Sequence, residues 1–144
     1  MAAAVCANIS GPSATVLNLN QGGTVNLVEG SPDLAGSRTA VAMHVAELLG
    51  IQITDVHPSI GDTDSIGFTA FTAGSSATYK TGWACYETAH DLLRQLKQRA
   101  ALIWGVPEDD VEWSESQFFH RSDPELRPTI KELAGRTGGG SCGR

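Results

Sequence analysis

Residues 24–60, "TVNLVEGSPDLAGSRTAVAMHVAELLGIQITDVHPSI", are predicted to form a strand, a turn-rich connection, a helix and a second strand. The helix is indicated over residues 39–50, because apolar side chains lie there on one stripe at helical spacing: Val41, Val45, Leu48 and Leu49. Gly50 follows at the position where a helix commonly ends on a left-handed residue. Residues 55–60 are the second strand, for which Pro58 favours an edge or a bend.

The first of these strands belongs to a predicted β-hairpin over residues 14–30. Apolar residues stand on both sides of Gln21-Gly22-Gly23, namely Val16, Leu17 and Leu19 before it and Val25, Leu27 and Val28 after it. The two glycines can adopt the positive φ angles of a tight hairpin turn.

The second half of the chain is predicted to form a long helix over about residues 79–104, then a strand over 110–119. The helix is expected to end near residue 104, because Pro107 disfavours helical conformation at Val106. Its apolar face is predicted to carry Tyr86, His90, Leu93, Leu96, Ala100, Ile103 and Trp104. Residues 123–135 are predicted to form a turn and a short helix, with Pro128 at the first helical position and Gly135 at the end.

Two segments 55 residues apart, 46–57 and 101–112, share one plan. Gly50 matches Gly105, and each glycine follows a helix and precedes an apolar residue, a short turn and a strand; both glycines should therefore have positive φ. The alternative to two similar helix–strand units is that these short motifs match by coincidence. We expect an α+β fold, a β-hairpin plus two helix–strand units, with the helices packed on one face of a mixed sheet. Residues 1–144 would form a single domain with a flexible tail over 136–144.

Composition limits the function classes. The chain has 144 residues, 41% of them hydrophobic, and a formal net charge of −6 with a pI near 5.0, which disfavours nucleic acid or an anionic membrane surface as a partner. The sequence contains no apolar run long enough to cross a membrane. Its three cysteines are far apart, which predicts no disulfide framework or metal site and fits the cytoplasm. The aspartates of Asp62-Thr63-Asp64 are predicted to form a turn, and a Mg²⁺ site is the less favoured alternative.

Two glycine- and serine-containing loops precede predicted helices: "SPDLAGSRT" (31–39) and "TAGSSATYKTG" (72–82). The N-terminus of a helix exposes unpaired N–H groups and favours negative charge, so such loops commonly hold phosphate or another anion. Ordinary helix capping by Ser37 and by Ser75 or Ser76 is the alternative. The residue patterns predict no catalytic group.

Three stretches in this order resemble the molybdenum-cofactor-binding large subunit of the xanthine dehydrogenase/aldehyde oxidase family of molybdenum hydroxylases. They are "GGTVNLVEGSPDLAGSRTAVAMHVAELLGI" (22–51), "VHPSIGDTDSIGFTAFTAGSSATYKTGWACYETA" (56–89) and "IKELAG" (130–135) followed by glycines. The resemblance implies that two loops wrap molybdopterin or its dinucleotide. The cofactor-binding residues would be Asp33, Leu34, Ala35, Gly36 and Ser37 of the first loop and Gly74, Ser75, Ser76, Ala77 and Thr78 of the second.

The resemblance also implies a reaction and partners. The complete enzyme would hydroxylate an aldehyde or an N-heterocycle oxidatively, with the remaining large-subunit segments and iron–sulfur and flavin subunits or domains as partners. The family's catalytic glutamate lies in a Gly-Glu motif, and this chain contains no Gly-Glu dipeptide. We therefore expect a cofactor-binding portion that is inactive in isolation. The alternative is a stand-alone, non-catalytic α+β module that binds an anion or a protein partner.

Overall fold

The computed structural model describes residues 9–123 and 125–137. Within them the chain forms five strands and three α-helices: β1 (Thr15–Leu19), β2 (Val25–Glu29), α1 (Ser37–Leu49), β3 (Val56–Ile60), α2 (Ala77–Trp104), β4 (Val111–Ser114), β5 (Gln117–His120) and α3 (Ile130–Thr137). Short 3-10 turns at Ile53–Asp55 and Glu108–Asp110 precede β3 and β4. None of the helices formed by these residues combines the length and the apolar character needed to cross a membrane.

The main sheet has the strand order β1-β2-β3. Strands β1 and β2 form the predicted antiparallel hairpin, in which Leu17 pairs with Leu27 and Gly23 has a φ of +85°. Strand β3 pairs with β2 in parallel, so α1 is the crossover between them. Because β3 is an edge strand, Pro58 lies where the missing N–H of a proline is tolerated, as predicted.

The core lies between this sheet and the helices. On β2, Val25, Leu27 and Glu29 alternate onto the buried face, whereas Asn26 is exposed on the opposite face. The side chains packed against that face come mainly from α1 and α2 and include Val41, Val45, Leu49, Ala89, Leu93 and Leu96. The expected α+β class is confirmed, with α1 and α2 packed on the mixed sheet.

The predicted apolar face of α2 is partly wrong. Leu93, Leu96 and Ala100 are buried, but Tyr86, His90 and Ile103 are exposed. In the first half of the helix the buried positions are instead small or polar ones: Lys80, Thr81, Gly82, Cys85 and Ala89. Small side chains let α2 approach its neighbours closely, and a search for large apolar residues does not detect them.

The predicted strand over residues 110–119 is two strands, β4 and β5, joined by Glu115-Ser116. Both turn residues have positive φ, at 50° and 64°, which is the conformation of a tight hairpin turn. Neither residue is the glycine or asparagine that normally marks such a turn, so the turn was not predictable from its residues. The hairpin forms a separate two-stranded sheet rather than extending the mixed sheet.

Helix α3 begins at Ile130, and the predicted positions of Pro128 and Gly135 are wrong. Pro128 precedes the helix and its carbonyl accepts a hydrogen bond from the Phe118 N–H at 3.1 Å, while Gly135 lies inside the helix. The helix start is instead a capping box, in which Thr129 and Glu132 exchange hydrogen bonds. Of the predicted flexible tail, residues 136 and 137 are helical and the rest lies outside the described residues.

The two predicted helix–strand units are confirmed in their local geometry. Gly50 and Gly105 end their helices with φ angles of 57° and 68°. The next residue in each unit donates its N–H to the carbonyl five positions earlier, from Ile51 to Ala46 and from Val106 to Ala101, each at 3.1 Å. Each helix therefore ends at a left-handed glycine with the same hydrogen bond from the residue that follows it, and a 3-10 turn and a strand come next.

Candidate functional site

Parallel pairing brings the two predicted loops to one end of the sheet. Because Glu29 pairs with Ile60, the connections that follow β2 and β3 both leave from the same end of the sheet. Helices α1 and α2 both begin at this end. The Gly61 N–H donates to the Glu29 carbonyl at 2.9 Å. A Cβ added to Gly30 would lie 2.8 Å from the Cβ of Thr69, so the two connections are in contact.

The first predicted loop, residues 33–37, leads into α1. An Asp33 carboxylate oxygen accepts the backbone N–H of Arg38 at 3.2 Å, and the same carboxylate pairs with the Arg38 guanidinium at 3.2 Å. The Ser37 hydroxyl donates to the Pro32 carbonyl at 3.2 Å and does not cap the helix. Asp33 thus accepts one N–H of the first turn of α1, whose N-cap residue is Gly36, and capping by Ser37 is excluded.

The second predicted loop, residues 74–78, leads into α2. The hydroxyl of the buried Ser76, the N-cap residue of α2, donates to the Ala73 carbonyl at 2.7 Å and does not cap the helix. The Gly74 carbonyl accepts the N–H of Ile9 at 3.2 Å, and the Ile9 side chain lies against Gly74. Ala77 and Thr78 form the start of the helix. Capping by Ser76 therefore does not account for this loop.

Each loop has two consecutive left-handed residues just before a helix begins. Ala35 and Gly36 have φ angles of 55° and 78°, and Gly74 and Ser75 have 59° and 54°. Left-handed conformation costs a non-glycine residue on the order of 1–3 kcal/mol, and such strain concentrates at functional sites. Among the described residues, the other non-glycine residues with positive φ form the β4–β5 turn, where pairing of the strands explains them.

Lys80, a buried lysine of α2, makes hydrogen bonds to the connection between β3 and α2. Its side chain is 4% exposed, and its ammonium donates to the carbonyls of Ala70 at 2.6 Å and Phe71 at 2.8 Å. None of the ion pairs among the described residues includes it. Lys80 therefore adds positive charge near the start of α2. Sequence reasoning did not single it out, although it is the only lysine of the loop region.

The buried carboxyl group of Glu29 lies at the last residue of β2, at the same end of the sheet as the two loops. One of its oxygens accepts the Ser31 N–H at 2.7 Å, whereas its other oxygen has no hydrogen-bond partner among the described residues. Burial raises the pKa of Glu29. Burial, and then the charge of Glu29, also raise the pKa of the Cys85 thiol to about 12, so this buried cysteine is unreactive. Alternation with Val25 and Leu27 could have identified Glu29 as buried.

Helices α1 and α2 border a groove of about 800 Å³, which we call the α1–α2 groove. Apolar and aromatic side chains form most of its lining: Met43, Leu48, Tyr79, Trp83 and Tyr86. Ser75 and Thr78 of the second predicted loop also line it, whereas none of residues 33–37, all of which the structure describes, does so. The loops thus share one end of the sheet, but only the second opens into this groove.

The acidic residues of the loop region have a structural role. A carboxylate oxygen of Asp62 accepts the N–H groups of Asp64 and Ser65 at 3.1 and 2.9 Å, which confirms the predicted turn. Hydrogen bonds from Ser65 and from the backbone lower the pKa of Asp62. Over residues 9–123 and 125–137 there is no cluster of three or more histidine, cysteine or acidic side chains suited to a metal ion.

Comparison with known proteins assigns the family. Residues 2–141 match the family described as the molybdopterin cofactor-binding domain. The chain belongs to this family. It is 33% identical over 99 residues to the carbon monoxide dehydrogenase large chain of Afipia carboxidovorans, an alignment that covers 69% of this chain and 12% of the relative.

Solved structures of relatives share this fold. The crystal structure of the Cu,Mo-CO dehydrogenase in its carbon monoxide reduced state aligns with 88% of this chain and 16% of its own, at a TM-score of 0.80 and 28% identity. Quinoline 2-oxidoreductase from Pseudomonas putida 86 aligns over the same fractions at a TM-score of 0.70 and 19% identity, which supports the fold alone. The chain therefore spans less than a fifth of the length of these relatives. The molybdopterin-binding resemblance is confirmed, and the xanthine dehydrogenase/aldehyde oxidase type remains a hypothesis.

Proposed function

We propose that this chain is the molybdopterin-binding portion of a molybdenum hydroxylase, and that residues 33–37 and 74–78 contact the cofactor. The observation that carries the proposal is the pair of strained left-handed turns at the starts of two helices, on one end of a fold that belongs to the molybdopterin cofactor-binding domain family. Strained residues of this kind cluster at active sites and at turns that bind ligands.

The residues present fit such a group. Gly36 is exposed, and a Cβ added to it would meet nothing within 4 Å, so a ligand can approach the backbone there. At the second loop, the helix dipole of α2 and the Lys80 ammonium both favour an anion, while Ser75 and Thr78 lie on the adjoining groove. At the first loop, the negative charge of the Asp33 carboxylate disfavours binding of an anion. The phosphate portion of the cofactor would therefore bind at the start of α2.

The chemistry is divided between the cofactor and the protein. When bound, the molybdenum cofactor supplies the metal and redox chemistry, and the residues of this chain bind and orient it. In the complete enzyme, which would include further large-subunit segments and iron–sulfur and flavin subunits or domains, the reaction would be oxidative hydroxylation of an aldehyde or N-heterocycle. The isolated 144-residue chain should turn over none of these substrates with an artificial electron acceptor.

Two glycines provide a matched test. Gly36 and Gly105 have similar positive φ angles, and a Cβ on either one meets nothing within 4 Å. Gly36→Ala and Gly105→Ala should therefore cost similar stability, but only the first places a methyl group where the cofactor would bind. Both variants are produced within the assembled enzyme, and molybdenum and pterin are measured per protein. Gly36→Ala should lower both contents and Gly105→Ala should preserve them.

Two outcomes would reject the proposal. One is the absence of pterin from the assembled wild-type protein, and the other is equal pterin content in the two glycine variants. A non-catalytic module that binds a protein partner is the second candidate, and the apolar α1–α2 groove favours it. That candidate predicts the first of these outcomes, together with a stable complex that contains no molybdenum.

A further inference from the structure

Glu29 is an acidic residue buried at the end of the sheet where the two loops lie. As the last residue of β2 it follows Val25 and Leu27 on the inward face, and its side chain is 0% exposed. Its cross-strand neighbours, Thr15 on β1 and Ile60 on β3, carry no charge. Burial of an ionised carboxylate without a paired cation is costly, so this position favours the neutral carboxylic acid.

The hydrogen bonding of the Glu29 carboxyl group is incomplete. One of its oxygens accepts the Ser31 N–H at 2.7 Å, and the other, Oε1, has no partner within the described part of the chain. The hydroxyl of Ser31, a residue that is 1% exposed, is also buried and without a partner there. This hydroxyl can accept from the neutral acid or donate to the carboxylate, so the surrounding charges decide between the two forms.

The surrounding charges do not compensate an ionised Glu29. Arg38, in the first turn of α1, is the cation that acts on it, but the Arg38 guanidinium pairs with Asp33 at 3.2 Å. The Cys85 thiol on α2 stays neutral, since its pKa is raised to about 12. Burial raises the pKa of Glu29, and the charge of Asp33 adds to this rise. The Ser31 N–H and the charge of Arg38 lower the pKa of Glu29 but do not cancel the effect of burial.

The Glu29 carboxyl group is bonded directly to the connection that contains the first loop. It accepts the N–H of Ser31, which stands at the start of that connection. Residues 32–36 are exposed, whereas β2 and α1 contribute buried side chains to the core, so this connection can move with the least loss of buried contacts. The left-handed conformation of Ala35, which is strained, also favours its release.

We infer that Glu29 is a positioning residue for the first loop: its neutral carboxyl group holds residues 31–37 in the cofactor-binding conformation, and its ionisation releases them. This inference rests on the proposed function in assigning the loop to the cofactor. An ionised carboxylate gains more hydration than the neutral acid when the loop opens, so opening is coupled to the loss of one proton. Opening should become more favourable as the pH rises above 4.5, the ordinary pKa of a glutamate, and should level off above the raised pKa of the closed form.

Hydrogen exchange of the full 144-residue chain measures this opening. Rates are recorded between about pH 4 and about pH 8 and are corrected for the intrinsic pH dependence of amide exchange. The opening equilibrium of residues 31–38 should rise with pH by up to about tenfold per pH unit, the limit for loss of one proton, while amides in the middle of α1 should not respond. A loop that does not respond to pH would overturn the inference. An equal response of α1 would also overturn it, because that result would report destabilisation of the whole chain.

Three variants separate protonation from packing. Glu29→Gln keeps the shape and the neutral hydrogen bonding of the acid, so it should hold the loop closed at every pH. Glu29→Leu removes the acceptor of the Ser31 N–H and should leave the loop open at every pH. Glu87→Gln, at an exposed glutamate of α2, is the control and should keep the wild-type response. A Glu29→Gln variant that responds to pH as the wild type does would overturn the inference, even if Glu29→Leu fails to fold.

Retention of pterin by the assembled enzyme separates this inference from the proposed function. The wild-type protein should release pterin faster as the pH rises over the same range, and Glu29→Gln should remove this part of the pH dependence. Absence of pterin at every pH would reject the cofactor role and leave the response of the loop in the chain intact. Pterin retained beside a loop that does not respond to pH would reject the role of Glu29 and keep the proposed function.

Discussion

Replacement of Gly50 by alanine should destabilise the chain much more than the same replacement at Gly105. Both glycines end a helix with a left-handed conformation, and alanine in that conformation costs about 1 kcal/mol. The neighbourhoods differ. A Cβ at Gly105 would meet nothing within 4 Å, whereas one at Gly50 would overlap the Ser116 side chain and lie 3.0 Å from the Ser116 Cα.

The overlap at Gly50 involves the backbone of the β4–β5 turn, which must move to accommodate a methyl group. Overpacking of this kind typically costs about 1–3 kcal/mol, so we expect a total of about 2–4 kcal/mol for Gly50→Ala against about 1 kcal/mol for Gly105→Ala. Urea unfolding followed by circular dichroism gives both values, provided that the dependence of the unfolding free energy on urea is unchanged.

A third substitution isolates the cause. Ser116→Gly removes the side chain that an alanine at position 50 would overlap, and glycine suits the φ of 64° at this position. In the Ser116→Gly background, the cost of Gly50→Ala should fall toward that of Gly105→Ala but stay above it, because the Cα of residue 116 still lies 3.0 Å from the added Cβ. Equal costs of the two single variants, within about 0.5 kcal/mol, would refute the reasoning, as would a cost that Ser116→Gly leaves unchanged.

Three further outcomes follow from buried polar groups. Lys80→Met should leave the carbonyls of Ala70 and Phe71 without their donor, and hydrogen exchange across residues 69–76 should accelerate while that of α1 does not. Because burial raises the pKa of Glu29, the wild-type chain should lose stability as the pH rises above about 4.5, and Glu29→Gln should flatten this part of the profile of urea midpoint against pH. Cys85, with a pKa raised to about 12, should resist alkylation at pH 8 until the chain unfolds, and rapid labelling of the folded protein would contradict its burial.

The features that were predictable from the sequence are those encoded within a few residues. The stop signals at Gly50 and Gly105 depend on one residue's φ and on hydrogen bonds within one turn, and both occur where predicted. The hairpin depends on alternation around two adjacent glycines, and the family depends on an ordered series of short motifs. Local chemistry of this kind is present in the chain before it folds.

Only the tertiary structure decided which groups meet. Parallel pairing of β3 with β2 brings two loops separated by about 40 residues to one end of the sheet, and packing of α2 by its small residues turns Trp83 outward and buries Lys80. The burial of a residue and the space around it depend on partners far along the chain, as at Gly50, whose crowding comes from Ser116. Gly50 and Gly105 are equivalent in sequence and differ only in what the fold places against them, because sequence specifies a backbone conformation locally while packing is a property of the whole molecule.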